Sequence, residues 1–324
     1  MKILIIGATG MIGRKLTERL IANGRLKGET ISAMTLADVV EPAPPEDAPT
    51  SIAFTTRTCD LSMPGEAEAL VADRPDVIFH LAAIVSGEAE AEFDKGYRIN
   101  LDGTRALLEA IRALGTCPRL VFTSSIAVFG APFPEAIPDD YHHTPLTSYG
   151  VQKACSELML TDYTRKGFVD GVGIRLPTIV VRPGKPNLAA SGFFSNILRE
   201  PLAGKEAVLP VSADVRHWMA SPRAAVGFLI HAAEIDGAAV GPHRNLTMPG
   251  LSATVGEMLD ALERIGGPQR RVLVREEPDE GIKAIVANWP RNFEPARATE
   301  LGFRAESSMD ELILAHVEDE GIEL

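Results

Sequence analysis

The chain has 324 residues, enough for one large α/β unit or two domains sharing a core, and 45% of them are hydrophobic, which excludes disorder of the whole. With 32 Lys+Arg against 44 Asp+Glu the formal net charge is −12. That balance argues against general binding to nucleic acid or an anionic membrane and leaves room for a local basic pocket holding a small anion.

In chain order, Lys2–Ile6 predicts a buried strand and residues 11–22 a helix with apolar Ile12, Leu16, Leu20 and Ile21 on one face. Strands are expected at 30–36, 51–56 and 76–81, then a helix at 100–114 and a strand at 119–123. A helix at 149–165 and a strand at 171–176 follow. Short apolar strands separated by helices imply right-handed βαβ crossovers and an α/β fold, a doubly wound parallel sheet of Rossmann type. Residues 41–50 form a Pro-rich acidic loop, and 131–147 a loop long enough to be a lid. Past residue 176 the pattern changes to short pieces punctuated by Pro and Gly. Residues 1–176 are thus expected as the Rossmann domain and 177–324 as mainly a smaller C-terminal substrate-binding lobe, with about 211–235 returning to the first core. Ser221-Pro222, Thr254 with Glu257, and Ser308 with Glu311 mark helix starts, the last two as capping boxes.

Three dispersed cysteines without CxxC, and seven histidines without HExxH, suggest neither a disulfide frame nor a metal site. His142 and His143, adjacent in a loop with Pro and Asp, read as solvated loop residues, with a metal or substrate contact as the alternative. After Met1-Lys2 the apolar run ends at Gly7, so no signal peptide is visible, and no stretch reaches the roughly 18 apolar residues of a membrane span. A cytoplasmic protein is expected.

Chemistry enters at Gly7-Ala8-Thr9-Gly10-Met11-Ile12-Gly13, between the first strand and first helix. Gly7 permits a tight turn, Gly10 lets a pyrophosphate approach the backbone, and Gly13 lets the helix sit close to the sheet. The helix start then offers free N–H groups to the anion, at Met11 and Ile12 among others. Asp38, ending the second strand, suits the adenosine ribose hydroxyls and would repel a 2′-phosphate, which favours NAD over NADP; a turn aspartate is the plainer alternative. Asp60 and Leu61 would flank the adenine. Tyr149 and Lys153 stand one helical turn apart, after Thr123-Ser124-Ser125 at a strand end. Ionising a phenol at pH 7 takes about three pK units, roughly 4 kcal/mol. A cation about 4 Å away at an effective dielectric near 20 supplies roughly as much. Lys153 is therefore expected to make Tyr149 a general base, with Ser125 holding the reacting hydroxyl.

GATGMIG, HLAA (80–83), INLDGT (99–104), TSSIAVFG (123–130) and YGVQK (149–153), in that order, resemble the extended short-chain dehydrogenase/reductase family of NAD-dependent epimerases and dehydratases. The likeness runs through the C-terminal ELGFRAESSMDELI. It implies that Ser125, Tyr149 and Lys153 are catalytic, with Lys153 also on the nicotinamide ribose. It further implies that Leu81, Ala82, Ala83 and Thr123 line the cofactor channel, and that Pro177 and Ile179 lie near the carboxamide. Asn100 fits a cofactor contact and a helix cap equally. Sugar-nucleotide branches carry an LRYFNVYGP-like stretch where this chain has IRLPTIVVRPGKPN (174–187), with Leu176, Pro177 and Thr178 replacing Tyr, Phe and Asn. SSIAVFG and RLPTIVVRPGKPN resemble instead a branch that oxidises the 2-hydroxyl of a four-carbon sugar acid, D-erythronate. The alternatives are oxidation of L-threonine at C3, epimerisation of a sugar nucleotide, and a non-catalytic NAD-binding protein.

A small carboxylate substrate needs a cation. Arg216 is the favoured clamp, with Arg182 and Lys185 as other candidates that also read as solvated loop charges. Ser86, Thr178 and Asn187 are candidates for substrate hydroxyls, while His217 reads as packing. The apolar faces of helices 100–114 and 149–165 fit a homodimer through a four-helix bundle, or an intramolecular core.

Overall fold

The computed structural model describes residues 1–184 and 191–324. Six parallel strands carry the first half: β1 (Lys2–Ile6), β2 (Ala33–Asp38), β3 (Ala53–Thr58), β4 (Val77–His80), β5 (Arg119–Ser125) and β6 (Asp170–Leu176). Two strands of the smaller lobe follow, β7 (Thr178–Ile179) and β8 (Arg216–Ala220), then β9 (Asn245–Thr247) and β10 (Leu251–Thr254). The main sheet has the order β9-β6-β5-β4-β1-β2-β3, all parallel, so the strand order reverses between β1 and β4. Ligands of such sheets bind beyond the carboxyl ends of the strands at that reversal.

Strands β1, β4 and β5 are buried on both faces, which is why they read as continuous apolar runs. One face packs on α1 (Met11–Asn23) through Leu16 and Leu20. The other packs on α2 (Glu66–Val71), α3 (Ser86–Ala91) being next in the chain, α4 (Gly103–Leu114) and α5 (Ser148–Arg165). Helices α6 (Gly192–Leu202), α8 (Val255–Gly266) and α9 (Met309–Asp319) build the lobe core around Phe194, Ile197, Met258, Leu262 and Leu312. Between them in sequence, α7 (Pro222–Glu234) lies in the first core, on α1. Ala220, the residues of α7, β9 and Met248 join the first core, as do Ala298 and Phe303, whereas Val211 and Met219 pack in the lobe.

Several boundaries differ from expectation. The second strand is Ala33–Asp38 rather than 30–36, because Glu29–Thr30 is drawn into a hairpin with Arg25–Leu26 around Lys27 and Gly28, both left-handed. The third is Ala53–Thr58 rather than 51–56, in register with β2 from Ala33↔Ala53. The helix expected from Asn100 begins earlier. A turn at Phe93–Gly96 and a π-helical turn at Tyr97–Asp102 run into α4, so Asn100 lies inside helix and is no cap. The seventh strand, β9, has no counterpart among the expected elements. Thr254 and Glu257 form the reciprocal capping box, and Ser221 caps α7. At α9, Ser308 accepts from the Glu311 N–H, but the Glu311 carboxylate takes the N–H and hydroxyl of Ser307 instead, so that box is half formed. Among the described residues no helix is long and apolar enough to cross a membrane.

Candidate functional site

The turn from β1 to α1 requires its glycines for three separate reasons. Gly7 has φ +94°, and a Cβ there would stand 2.7 Å from the Ala82 nitrogen. Gly13 would place its Cβ 2.2 Å from the Gly7 carbonyl oxygen. Gly10 is exposed, and its Cβ would touch only the Gly7 oxygen, at 3.4 Å, so the space in front of it is open. Gly10 caps α1 without a side-chain hydrogen bond, and no acidic residue occupies the first turn. The amides that open α1 therefore have no side-chain cap, a setting that suits an anion. Leu81 and Ala82 donate their N–H groups to the Ile6 carbonyl, which lays the segment through Ala83 beside this turn.

Asp38 ends β2 at the same edge. Its Oδ2 accepts from the Thr9 N–H (2.9 Å) and hydroxyl (2.7 Å), and Oδ1 accepts from the Val39 N–H (2.7 Å). The carboxylate thus braces the glycine turn before any ligand arrives. Burial pushes Asp60 up, but hydrogen bonds from Ser62 and Arg98 hold its carboxyl below the usual value. Leu61 is buried in the core beneath α2 and α4. The Asn100 amide is taken up within the chain. Its Oδ1 accepts from the Ile84 N–H (2.9 Å), and its Nδ2 donates to Gln152 Oε1 (2.8 Å) and the Ile84 carbonyl (3.2 Å).

Strand β5 and helix α5 bring Ser125, Tyr149 and Lys153 together. Thr147 caps α5 by accepting from the Gly150 N–H, which starts the helix just before Tyr149. A Cβ on Gly150 would lie 2.2 Å from the Ala127 carbonyl oxygen, so only glycine lets this turn pack on the segment after Ser125. Lys153 is buried and donates through Nζ to the Thr123 carbonyl (2.8 Å), with Nζ 5.6 Å from the Tyr149 ring centroid. The Thr123 hydroxyl turns into the sheet and donates to the His80 carbonyl.

The electrostatics of the chain alone oppose the expected phenolate. Burial pushes Tyr149 up to about 12, against a hydrogen bond with Ser125 that lowers it. Burial pushes Lys153 down to about 7, against the charge of Glu157 that raises it. The Lys153 amine is aimed at the Thr123 carbonyl, and burial is the largest influence on both groups. A positive charge brought close to the phenol would favour its ionised form.

At the lobe end, Pro177 joins β6 to β7. The Thr178 hydroxyl lies 2.6 Å from His217 Nε2, and His217 Nδ1 lies 2.9 Å from the Pro290 carbonyl. Burial pushes His217 down to about 4, so the ring is neutral, donates from Nδ1 and accepts from Thr178; it stacks on Phe194. Ile179 pairs with Ala220. Arg182 is held by the Ser191 hydroxyl (2.7 Å), and burial pushes its pKa down. Arg216 donates to the Ser252 carbonyl (2.7 Å) and lies 3.4 Å from Glu257, with 39% of its side chain exposed. Ser86 opens α3 and is half-buried. Lys185 and Asn187 lie outside the described residues.

Sequence reading missed a buried group beside this site. His143 is not a solvated loop residue, since its Nε2 lies 2.9 Å from Glu157 Oε2, and Glu157 is itself paired with Arg175. The available signal was spacing: Tyr149, Lys153 and Glu157 stand four residues apart on one helix face.

A parallel sheet with this glycine turn, an acidic strand end and a serine, tyrosine and lysine beyond the switch point defines a nucleotide-dependent oxidoreductase of Rossmann type. The chain belongs to the NAD dependent epimerase/dehydratase family, whose model matches residues 3–245. It is similar to the D-erythronate dehydrogenase of Cupriavidus necator, 45% identical over 326 residues that cover 99% of each chain. It is also similar to that of Haemophilus influenzae, 41% identical over 318 residues, 98% of this chain and 99% of the relative. Among solved structures, one described as a nucleoside-diphosphate-sugar epimerase from Agrobacterium tumefaciens is 63% identical with a TM-score of 0.97, covering 100% of this chain and 95% of the other. The protein is an NAD-dependent oxidoreductase.

Proposed function

We propose that the chain oxidises the 2-hydroxyl of D-erythronate, a four-carbon sugar acid, to the 2-oxo acid with NAD. The observation that carries the chemistry is the meeting of Ser125, at the end of β5, with Tyr149 and Lys153 on one face of α5, where Lys153 donates to the Thr123 carbonyl two residues before Ser125. The two D-erythronate dehydrogenases matched over nearly their whole length support the substrate.

In this reading the amides of Met11 and Ile12, behind the open face of Gly10, hold the pyrophosphate, and remaining lone pairs of Asp38 take the ribose hydroxyls. Asp60 and Leu61 flank the adenine. Leu81, Ala82, Ala83, Asn100 and Thr123 shape the channel, and backbone of Pro177 and Ile179 meets the carboxamide. Bound oxidised nicotinamide supplies the hydride acceptor and a positive charge. Ser125 orients the substrate hydroxyl, Tyr149 accepts its proton, and Lys153 fixes the ribose and stabilises the phenolate. Arg216 binds the carboxylate by sharing its guanidinium with Glu257, while Thr178, Ser86 and Asn187 meet the hydroxyls and Arg182 is the second cation. The reading includes a cytoplasmic homodimer through α4 and α5. Leu158, 64% exposed on α5 in line with half-buried Val151 and Cys155, supports that pairing.

Asp38→Ala removes the ribose acceptor and the group that repels a 2′-phosphate. The NAD/NADP ratio of kcat/KM is expected to narrow by about tenfold, roughly 1.4 kcal/mol. An unchanged ratio assigns the preference to another residue.

Sugar-nucleotide epimerisation is the second reading, favoured by the 63% identical Agrobacterium structure. Such an enzyme regenerates its cofactor each cycle. The experiment is NADH formation with D-erythronate, L-threonine and UDP-glucose offered separately. The proposal expects stoichiometric NADH from D-erythronate alone, with KM raised by Arg216→Ala. Epimerised UDP-sugar without net NADH overturns it.

A further inference from the structure

Behind the reacting pair lies a carboxylate that the reaction above leaves unused. Glu157 follows Lys153 on α5 as Lys153 follows Tyr149, and it is fully buried. Its Oε1 accepts from the Ser124 hydroxyl (2.5 Å) and from Arg175 Nε (3.0 Å). Its Oε2 accepts from Arg175 Nη2 (2.8 Å) and lies 2.9 Å from His143 Nε2. Each partner comes from a different element. Ser124 precedes Ser125 on β5, Arg175 sits on β6 two residues before Pro177, and His143 belongs to loop 131–147. The backbone carbonyl of Glu157 accepts from Asn245 on β9.

Lys153 has a less complete setting. Among the described residues its hydrogen bond goes to a neutral carbonyl, and the Phe122 ring lies 4.8 Å from Nζ. Of the titratable groups facing it from the packed elements, Tyr149 on α5 is a protonated phenol in the chain alone, and His80 on β4 is kept neutral by burial. Glu157 is the negative charge among those described residues.

We propose that Glu157 is a positioning residue: its carboxylate keeps Lys153 as an ammonium beside Tyr149 and ties the strand carrying Ser125 to loop 131–147. The proposal rests on the reading of Tyr149 and Lys153 as the reacting pair. Burial pushes Glu157 up, but His143 and Arg175 outweigh it and hold the carboxyl below its usual range, so the charge is present at neutral pH. That charge opposes the burial that draws Lys153 down to about 7. Removing it lowers the Lys153 pKa, so the ammonium is lost at a lower pH than before.

The test is Glu157→Gln in the full-length, NAD-bound enzyme, with the Lys153 amine followed by NMR of side-chain-labelled lysine and assigned by loss of its signal in Lys153→Arg. The Lys153 midpoint is expected to fall by about one pH unit or more, and kcat at neutral pH by about tenfold or more, with KM for NAD little changed. The alkaline limb of the kcat profile moves to lower pH by the same amount. A folded variant whose Lys153 midpoint stays in place overturns the proposal, since a purely structural role lowers thermal stability without moving that titration. Glu157→Gln leaves Arg175 buried without its partner; if that variant does not fold, Glu157→Gln with Arg175→Met is compared with Arg175→Met alone, and the difference between their two Lys153 midpoints reports the carboxylate by the same criterion. Should D-erythronate prove not to be a substrate, the function proposed above fails, while the Lys153 titration still decides this one.

Discussion

Tyr149→Phe is expected to bind NAD as tightly as the unaltered chain and to lose roughly three orders of magnitude in kcat, about 4 kcal/mol of barrier. The substitution removes one oxygen. The ring keeps its place in the first turn of α5, whose position is set by the Thr147 cap and by Gly150 against Ala127. What goes is the phenol oxygen beside Ser125, the acceptor of the substrate proton. The chain alone holds this phenol up at about 12, so its reactivity depends on charge arriving with the cofactor. The pH profile follows from that sign. The unaltered enzyme gains kcat as pH rises through the ionisation of Tyr149 in its complex, and the Phe variant shows no such rise. Calorimetric NAD titration and single-turnover NADH formation separate binding from chemistry. A variant that keeps its turnover removes Tyr149 from the mechanism.

What is legible in the sequence, and what is not, divides by the range of the interaction. β1 is legible because four consecutive buried apolar residues, Ile3 to Ile6, are followed at once by the glycine that ends the strand. Tyr149 and Lys153 are legible because one helix sets their spacing. Thr30 reads as part of the second strand because its composition fits one, yet the left-handed pair Lys27-Gly28 turns it into a hairpin, and the register with β1 then starts β2 at Ala33. Asn245–Thr247 is three residues long, too short to show periodicity, and becomes a strand only because β6 offers it an edge. His143 reads as a loop histidine until Glu157 and Arg175, far apart in sequence, meet it in space. Asn100 fits a cap or a cofactor contact by pattern, and the structure shows its amide joining Ile84 to Gln152. Local pattern reports a residue's element, whereas partners brought by other elements report its duty.

Gly13→Ala is the second variant with a large expected effect, and two opposing terms decide its sign. Residue 13 lies in the first turn of α1, where alanine is favoured over glycine by about 1 kcal/mol on helix propensity alone. Gly227, exposed on α7 with nothing within 4 Å of where an added methyl would stand, isolates that term, and Gly227→Ala is expected to stabilise the chain by up to about 1 kcal/mol. At Gly13 the methyl would meet the Gly7 oxygen at 2.2 Å and the Cα and oxygen of Ala8 at 2.8 Å, all of them backbone. Backbone in the β1–α1 turn cannot swing aside as a side chain can, because Gly7 and Ala8 are pinned by N–H bonds to the Ala37 carbonyl. The helix must lift from the sheet instead, against the burial of Leu16 and Leu20 beneath it. Overpacking of this kind costs about 1–3 kcal/mol, which exceeds the propensity gain, so the net change is destabilising. The same displacement turns the amides of Met11 and Ile12 away from the place where a pyrophosphate would sit. The Kd for NAD is expected to rise by about a hundredfold or more, close to 3 kcal/mol. Thermal unfolding of the two alanine variants, with calorimetric NAD titration of each, checks both halves. Unchanged NAD affinity in a folded Gly13→Ala protein would show that the start of α1 is not the cofactor's cradle.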